Sequence, residues 1–316
     1  MAQKVLSVAG AVVSTVGLQL LVLSLVSQDQ SSAVVIVGSG LAFLVPWPVA
    51  LLAVRHGIGS AFAALLASGL LLGIAVSPVL AVAYVVQFGM GSVMVPHLLM
   101  RGWRWDAAVL SGTGLSLGCG IIALSAYALQ LGQSTLTFAD NWARTEVDKA
   151  LLALEYDKLP AEVAQQTEKI VQDLGDRLVD LYPAMTILTI AVMLLVLVVF
   201  LRRKAGQFLP AQSLFHAWKV AEHLVWILIA SGASVLIFEG AWHRLALNVL
   251  VVILAIYFLQ GLAILNHFFN VKGVPPFLRV LGYFLVVVSF PLRILATGVG
   301  VFDLWIDFRK PRNHKD

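Results

Sequence analysis

The side chains with chemistry to offer gather in the C-terminal half of the chain, within sequence otherwise apolar enough for lipid. Lys219, Glu222 and His223 fall in one short run, with His216 one face-repeat earlier. As the first turns of a helix, this run sets Lys219 and Glu222 three positions apart, where they can pair and account for each other without a ligand. Asn248 and Asn266 then share one helical face, and Tyr257, Gln260 and His267 another; amides in apolar helices bond to neighbouring helices or to a bound solute. Arg293 is the deepest basic residue. A straight last helix would bury it and demand a partner, whereas a break at Pro291 would let it snorkel to the interface. Asp303 and Asp307, one turn apart ahead of Arg309 and Lys310, read either as a solvated helix terminus or as an internal salt-bridge anchor. Ionisable groups in hydrocarbon are costly, so function is sought where they occur. Trp47, Glu222, Asn248, Tyr257, Gln260 and Arg293 make up the candidate ligand-binding set.

Catalytic patterns do not accompany these groups. The chain has no G-x-S-x-G elbow, no H-E-x-x-H zinc helix and no G-x-x-x-x-G-K-[ST] phosphate loop, and Gly112-Thr113-Gly114 lies inside an apolar helix rather than after a strand. A carboxylate relay across the bilayer needs ionisable groups in series, and most spans have none in their interiors. Cys119 is the single cysteine, which excludes an intrachain disulfide and a cysteine metal site. No enzyme activity, metal or cofactor is expected.

The elements that must position these residues follow from composition. Hydrophobic residues make up 60% of the 316 and charged ones 12%, with a mean hydropathy of +0.92. Soluble domains lie nearer ~45–50% and ~25%. The sequence therefore predicts an all-α polytopic transmembrane bundle of eight to nine spans in a lipid bilayer. The formal charge of +4 needs no nucleic acid, since cytoplasmic loops collect Lys and Arg. Spans of roughly twenty residues are expected at about 5–27, 33–54, 58–77, 79–99, 107–131, 183–201, 217–238, 245–267 and 279–301. Prolines 46 and 48 should kink the second span, and Gly89, Gly91 and Pro96 should loosen the fourth. Gly114 and Gly118 have the spacing of a helix-packing face, with a partner helix expected in the same chain.

Lys4, Arg55, Arg101, Arg104, Arg202, Arg203, Lys204 and Lys272 all fall on one side of these spans. That places the N-terminus in the cytoplasm. Nine spans would put the basic tail outside. Either the last segment breaks at Phe290-Pro291 and returns as an interfacial helix, or the third and fourth spans are miscounted, or the tail is a tolerated exception.

Between an N-terminal bundle (1–131) and a C-terminal bundle (183–316) lies a polar stretch, 132–182, with ten acidic and five basic residues. It is expected outside the cytoplasm. Val163, Thr167, Ile170, Val171, Leu174, Leu178 and Leu181 recur at helical spacing, and a helix from about Asp140 to Asp157, N-capped by Asp140, would pair with them. The amphipathic hairpin that results either packs on itself and the membrane domain or docks a protein partner through Val163, Ile170, Leu174 and Leu178.

Phe215, Trp218, Lys219, Glu222 and Trp226, then Asn248 with Gln260-Gly261, and finally the run from Phe302 to Lys310 resemble the C-terminal signatures of the YybS-like predicted bacterial membrane proteins. The resemblance is best over the C-terminal third. It implies a multi-pass protein of the bacterial cytoplasmic membrane with about eight spans, and no established activity to transfer. Two functions fit: binding or transport of a small amphipathic solute or lipid in the bundle, or a non-transporting scaffold that docks an envelope protein through the acidic hairpin.

Overall fold

The computed structural model describes residues 2–28, 32–152, 161–211 and 215–309. Every regular element among them is helical, as lipid requires of a chain that must satisfy its backbone within each segment. Seven helices are long and apolar enough to cross a membrane, and an eighth crossing is possible if the bent pair near the C-terminus counts as one span. The chain forms two compact units, Met1–Gln212 and Ser213–Asp316.

The N-terminal unit contains α1 (Ala2–Gln28), α2 (Ser32–Ala42), α3 (Trp47–His56), α4 (Ile58–Ala75), α5 (Pro78–Tyr84), α6 (Met90–Met100), α7 (Trp105–Gln130), α8 (Thr135–Leu152) and α9 (Ala161–Ala205). The expected kink in the second span is present. Helix gives way to turns at Phe43–Pro46, where amides bond three residues back, and α3 restarts with Pro48 in its first turn, a position that needs no N–H. The crowded third and fourth spans are separate helices. Ser77 is extended and its hydroxyl caps α5 by accepting the Leu80 N–H at 3.2 Å.

Glycines in the fourth span serve close packing as well as the π-turn at Val85–Gly89. Leu194 of α9 is fully buried, wedged between Gly91 of α6 and Gly112 of α7, where a Cβ on Gly91 would lie 2.6 Å from its Cδ2. The Gly114 and Gly118 face expected to hold a partner helix is instead open: nothing lies within 4 Å of a Cβ built on either. Helical rotation explains the difference, since Gly112, Thr113 and Ser116 carry the buried face of α7.

The hairpin is real, with its start moved. Ser134 rather than Asp140 caps α8, its hydroxyl accepting the Thr137 N–H at 3.1 Å. Ala143 and Val147 of α8 pack against Leu178, Val179 and Tyr182 of α9, with an exposed Arg144–Asp176 ion pair at 2.9 Å beside them. α9 continues without a break through Pro183. At 45 residues it is about 67 Å long, twice the ~30 Å hydrocarbon layer, so one helix serves both the hairpin and the sixth span. The segment 153–160, with Asp157 and Pro160, lies outside the described residues, as do the side chains of Val163, Thr167 and Val171.

The C-terminal unit holds α10 (Leu224–Ile237), α11 (Gly240–Val271), α12 (Pro276–Val288) and α13 (Phe290–Ile306). Two expectations change here. The seventh span, read as 217–238, is helical only from Leu224; a single 3-10 turn at Phe215–Ala217 precedes a non-helical run. With 14 residues, α10 is about 21 Å long, short of a full crossing. The ninth span is broken by 99° between α12 and α13, the break that the first of the three alternatives above requires. Pro291 sits in the first turn of α13, where its missing N–H would otherwise have continued the α12 ladder.

Packing around Leu194 gives a direct test. Gly91→Val should cost about 1–3 kcal/mol by overpacking, lowering the thermal unfolding midpoint in detergent, while Gly114→Val, in open space, should leave it unchanged. Equal midpoints for the two variants would contradict this packing.

Candidate functional site

In the C-terminal unit the residues from 218 to 223 run beside α11 as non-helical chain. Gln260 of α11 belongs to a helix apolar enough to cross the membrane, where free backbone groups have no water to bond. The protein supplies the missing partners from side chains. Gln260 Oε1 accepts the Val220 N–H at 2.9 Å. The Arg309 guanidinium donates through Nη1 to the carbonyls of His216 at 3.1 Å and Trp218 at 2.7 Å.

Asp303 binds these two anchors together. Its Oδ2 accepts from Gln260 Nε2 at 3.0 Å and from Arg309 Nη2 at 2.6 Å, and its Oδ1 accepts the Phe308 N–H at 3.1 Å. The Asp303 side chain is wholly buried and that of Arg309 is 7% exposed. A buried pair of this kind is tolerated only when its remaining donors and acceptors are used, and here only Arg309 Nε is buried without a partner. Local geometry returns Arg309 to the pair: α13 ends at Asp307 in the left-handed conformation (φ 44), which Asp adopts more readily than most residues, and the chain turns back. Asp307 also takes an ion pair from Lys219 at 2.8 Å. Lys219 therefore does not pair with Glu222; without helix at 219–222, three-residue spacing does not bring the two together.

Small residues let α13 reach this position. A Cβ on Gly261 would strike the Ala296 carbonyl, and one on Gly300 would strike the Tyr257 carbonyl, so the two helices cross backbone to backbone. At the end of α11, Arg279 closes the turn into α12 by donating to the carbonyls of Val274 and Phe269 and to Asn270 Oδ1. His216 and His267 stand with ring centres 6.2 Å apart near Asn270. Among the described residues no three His, Cys, Asp or Glu side chains gather as a metal site would need.

The sequence candidates divide on this frame. Gln260 is in the network and Tyr257 is buried at the helix crossing. Asn248 is buried higher on α11 and donates to the Arg244 carbonyl at 2.8 Å. Glu222 is exposed before α10. Arg293 is exposed in the first turn of α13, with Nη2 3.5 Å from the Val288 carbonyl, as the break at Pro291 allows. Trp47 belongs to the N-terminal unit, where it stacks on Phe200 with ring centroids 4.8 Å apart and its Nε1 is buried without a partner. On the hairpin, Leu178 is packed, whereas Ile170 and Leu174 are 59% and 49% exposed. Asp303 and Arg309 are absent from the candidate set although they carry the network. The available signal was the spacing of two acids and a basic pair after an apolar helix; the return of Arg309 to carbonyls some ninety residues earlier has no sequence signature.

These features define a polytopic helical membrane protein whose C-terminal unit is closed by a buried ion pair. The chain belongs to a family described as predicted membrane protein (DUF2232), whose model matches residues 22–304. The match takes in both compact units, so the family likeness is not confined to the C-terminal third. No curated protein and no solved structure matches the chain.

Removing one partner of the pair should be severe. Arg309→Met leaves Asp303 charged and buried and two carbonyls unbonded, a loss of about 3–5 kcal/mol, whereas Lys219→Met at the exposed end of the network should cost less than about 1 kcal/mol. Thermal unfolding of both variants in detergent checks the order. Adding Asp303→Leu to Arg309→Met should recover part of the loss, as expected of coupled residues.

Proposed function

We propose that this protein is a non-enzymatic, YybS-like component of the bacterial cytoplasmic membrane that binds or moves a small amphipathic solute or lipid. In this reading its N-terminus is cytoplasmic and the acidic hairpin lies outside. The observation that carries the proposal is the unwound run 218–223 beside α11, held by Gln260 and Arg309. Interrupted helices at membrane depth are tolerated where protein or a wet cavity covers them, and in transporters they frame substrate sites. The uncommitted Nε of Arg309 adds a buried donor suited to a ligand oxygen.

Native mass spectrometry of protein extracted gently from its own membrane tests this. Wild type should carry a reproducible small adduct. Gln260→Ala, which removes bonds worth about 1–3 kcal/mol and leaves the helices inserted, should carry markedly less. Adducts unchanged in a Gln260→Ala variant that melts cooperatively would count against the reading.

A second reading is favoured by one observation on the hairpin. Ile170 and Leu174 continue the apolar stripe of α9 past Leu178, yet both are exposed. In this reading they dock an envelope protein, and the chain is a scaffold. Ile170→Asp with Leu174→Asp should then release a co-purifying protein while the bundle melts as in wild type; a partner retained by that double variant would sink it.

A further inference from the structure

The N-terminal unit carries an open groove of about 580 Å³ between α1 and α4, within the usual range for small-molecule sites. Its lining starts in the first turns of both helices, at Lys4 and Gly59, and runs past Val8 and Ala63 to Val12 and Ala67. Gly59, Ala63 and Ala67 recur every four residues, so one face of α4 lacks the side-chain bulk that would fill the gap. The floor is apolar in effect, because the hydroxyl of buried Ser60 already donates to the His56 carbonyl at 3.0 Å.

Length and charge identify the occupant. From residue 4 to residue 13 the groove extends about 13 Å, close to half of the ~30 Å hydrocarbon layer. Further along α1, Thr15 and Gln19 are buried, so the helix face that lines the groove is covered there. A transmembrane helix would need a groove of full membrane depth, whereas an acyl chain of one leaflet needs only this half. The end at which the groove begins is basic: Lys4 lines it, and Arg55 and His56 close α3 just before α4. Asp29 is the only acidic residue before Asp106 in the sequence. Among the described residues neither Lys4 nor Arg55 has an acidic partner, so both cations are open to an anion from outside the chain.

We propose that the groove holds an acyl chain of an anionic phospholipid from the leaflet on the Lys4 side, with its phosphate against Lys4 and Arg55. The site is independent of the C-terminal network, so its failure would leave the reading of that network untouched. The test uses the full chain in nanodiscs of equal parts phosphatidylglycerol and phosphatidylethanolamine, with the lipid that stays bound on transfer to detergent measured by native mass spectrometry. Wild type should retain phosphatidylglycerol in preference. Ala63→Leu with Ala67→Leu should lower retained lipid by about fivefold or more, and Lys4→Gln with Arg55→Gln should keep an adduct but lose the preference. Ala63 is exposed, so leucine there displaces lipid rather than core, and the charge variant decides the question if the leucine pair fails to fold. Retention and preference unchanged in both variants would overturn the proposal. So would a wild-type dimer that the leucine pair converts to monomer, since that would assign the groove to a second copy.

Discussion

A backbone amide or carbonyl shielded from water must find its partner within the protein, and the C-terminal unit is arranged around one non-helical stretch where that need arises. The chain enters α10 through residues that are not helical; Gln260 of α11 and Arg309, just past α13, satisfy their backbone, and Asp303 of α13 holds those two side chains. Buried charge is admitted for this purpose at a desolvation cost that only a nearly complete set of bonds offsets. The Gly261 and Gly300 crossing, the break before α13 and the left-handed turn at Asp307 all bring those three side chains to the same place.

The N-terminal unit answers to the same solvent with a different device. Outside the hairpin its helices carry few charged groups, and contact there is made by removing side chains rather than by adding bonds. Leu194 seats between two glycines, and the half-length groove beside α1 lies where small residues on α4 meet no neighbour large enough to fill the space. Close packing and an open groove thus arise from one composition, and the difference is whether a large apolar side chain on another helix lies opposite the small ones.

α9 couples the membrane to the polar hairpin without a joint. Its polar first half and apolar second half are one helix of 45 residues, and α8 is fastened to it near the membrane by Val147, Val179 and Tyr182. The stripe on α9 is therefore used in part. Leu178 packs at the membrane-proximal end, and the exposed Ile170 and Leu174 lie beyond it.

Much of this was legible in the residues alone. Hydropathy and length determined that the chain is helical and spans the membrane, because an unbroken apolar run of about twenty residues pairs its backbone in lipid as a helix. Prolines 46, 48 and 291 marked breaks that occur, since a missing N–H opens the helical ladder locally, although Pro96 and Pro183 stay inside continuous helices. Gln260 stood out as an expensive side chain in apolar surroundings, whereas Asp303 and Arg309 read only as an acid and a base at the end of an apolar helix. What they bind was decided only in three dimensions. Lys219 reads as a partner for Glu222 until the helix between them is found unwound and Asp307 is brought to it. Gly114 and Gly118 read as a packing face, yet the rotation of α7 turns Gly112 and Ser116 inward instead. Composition and spacing act within a few residues, whereas the contact between Arg309 and the carbonyl of His216 depends on how several helices cross, and that is a property of the packed chain.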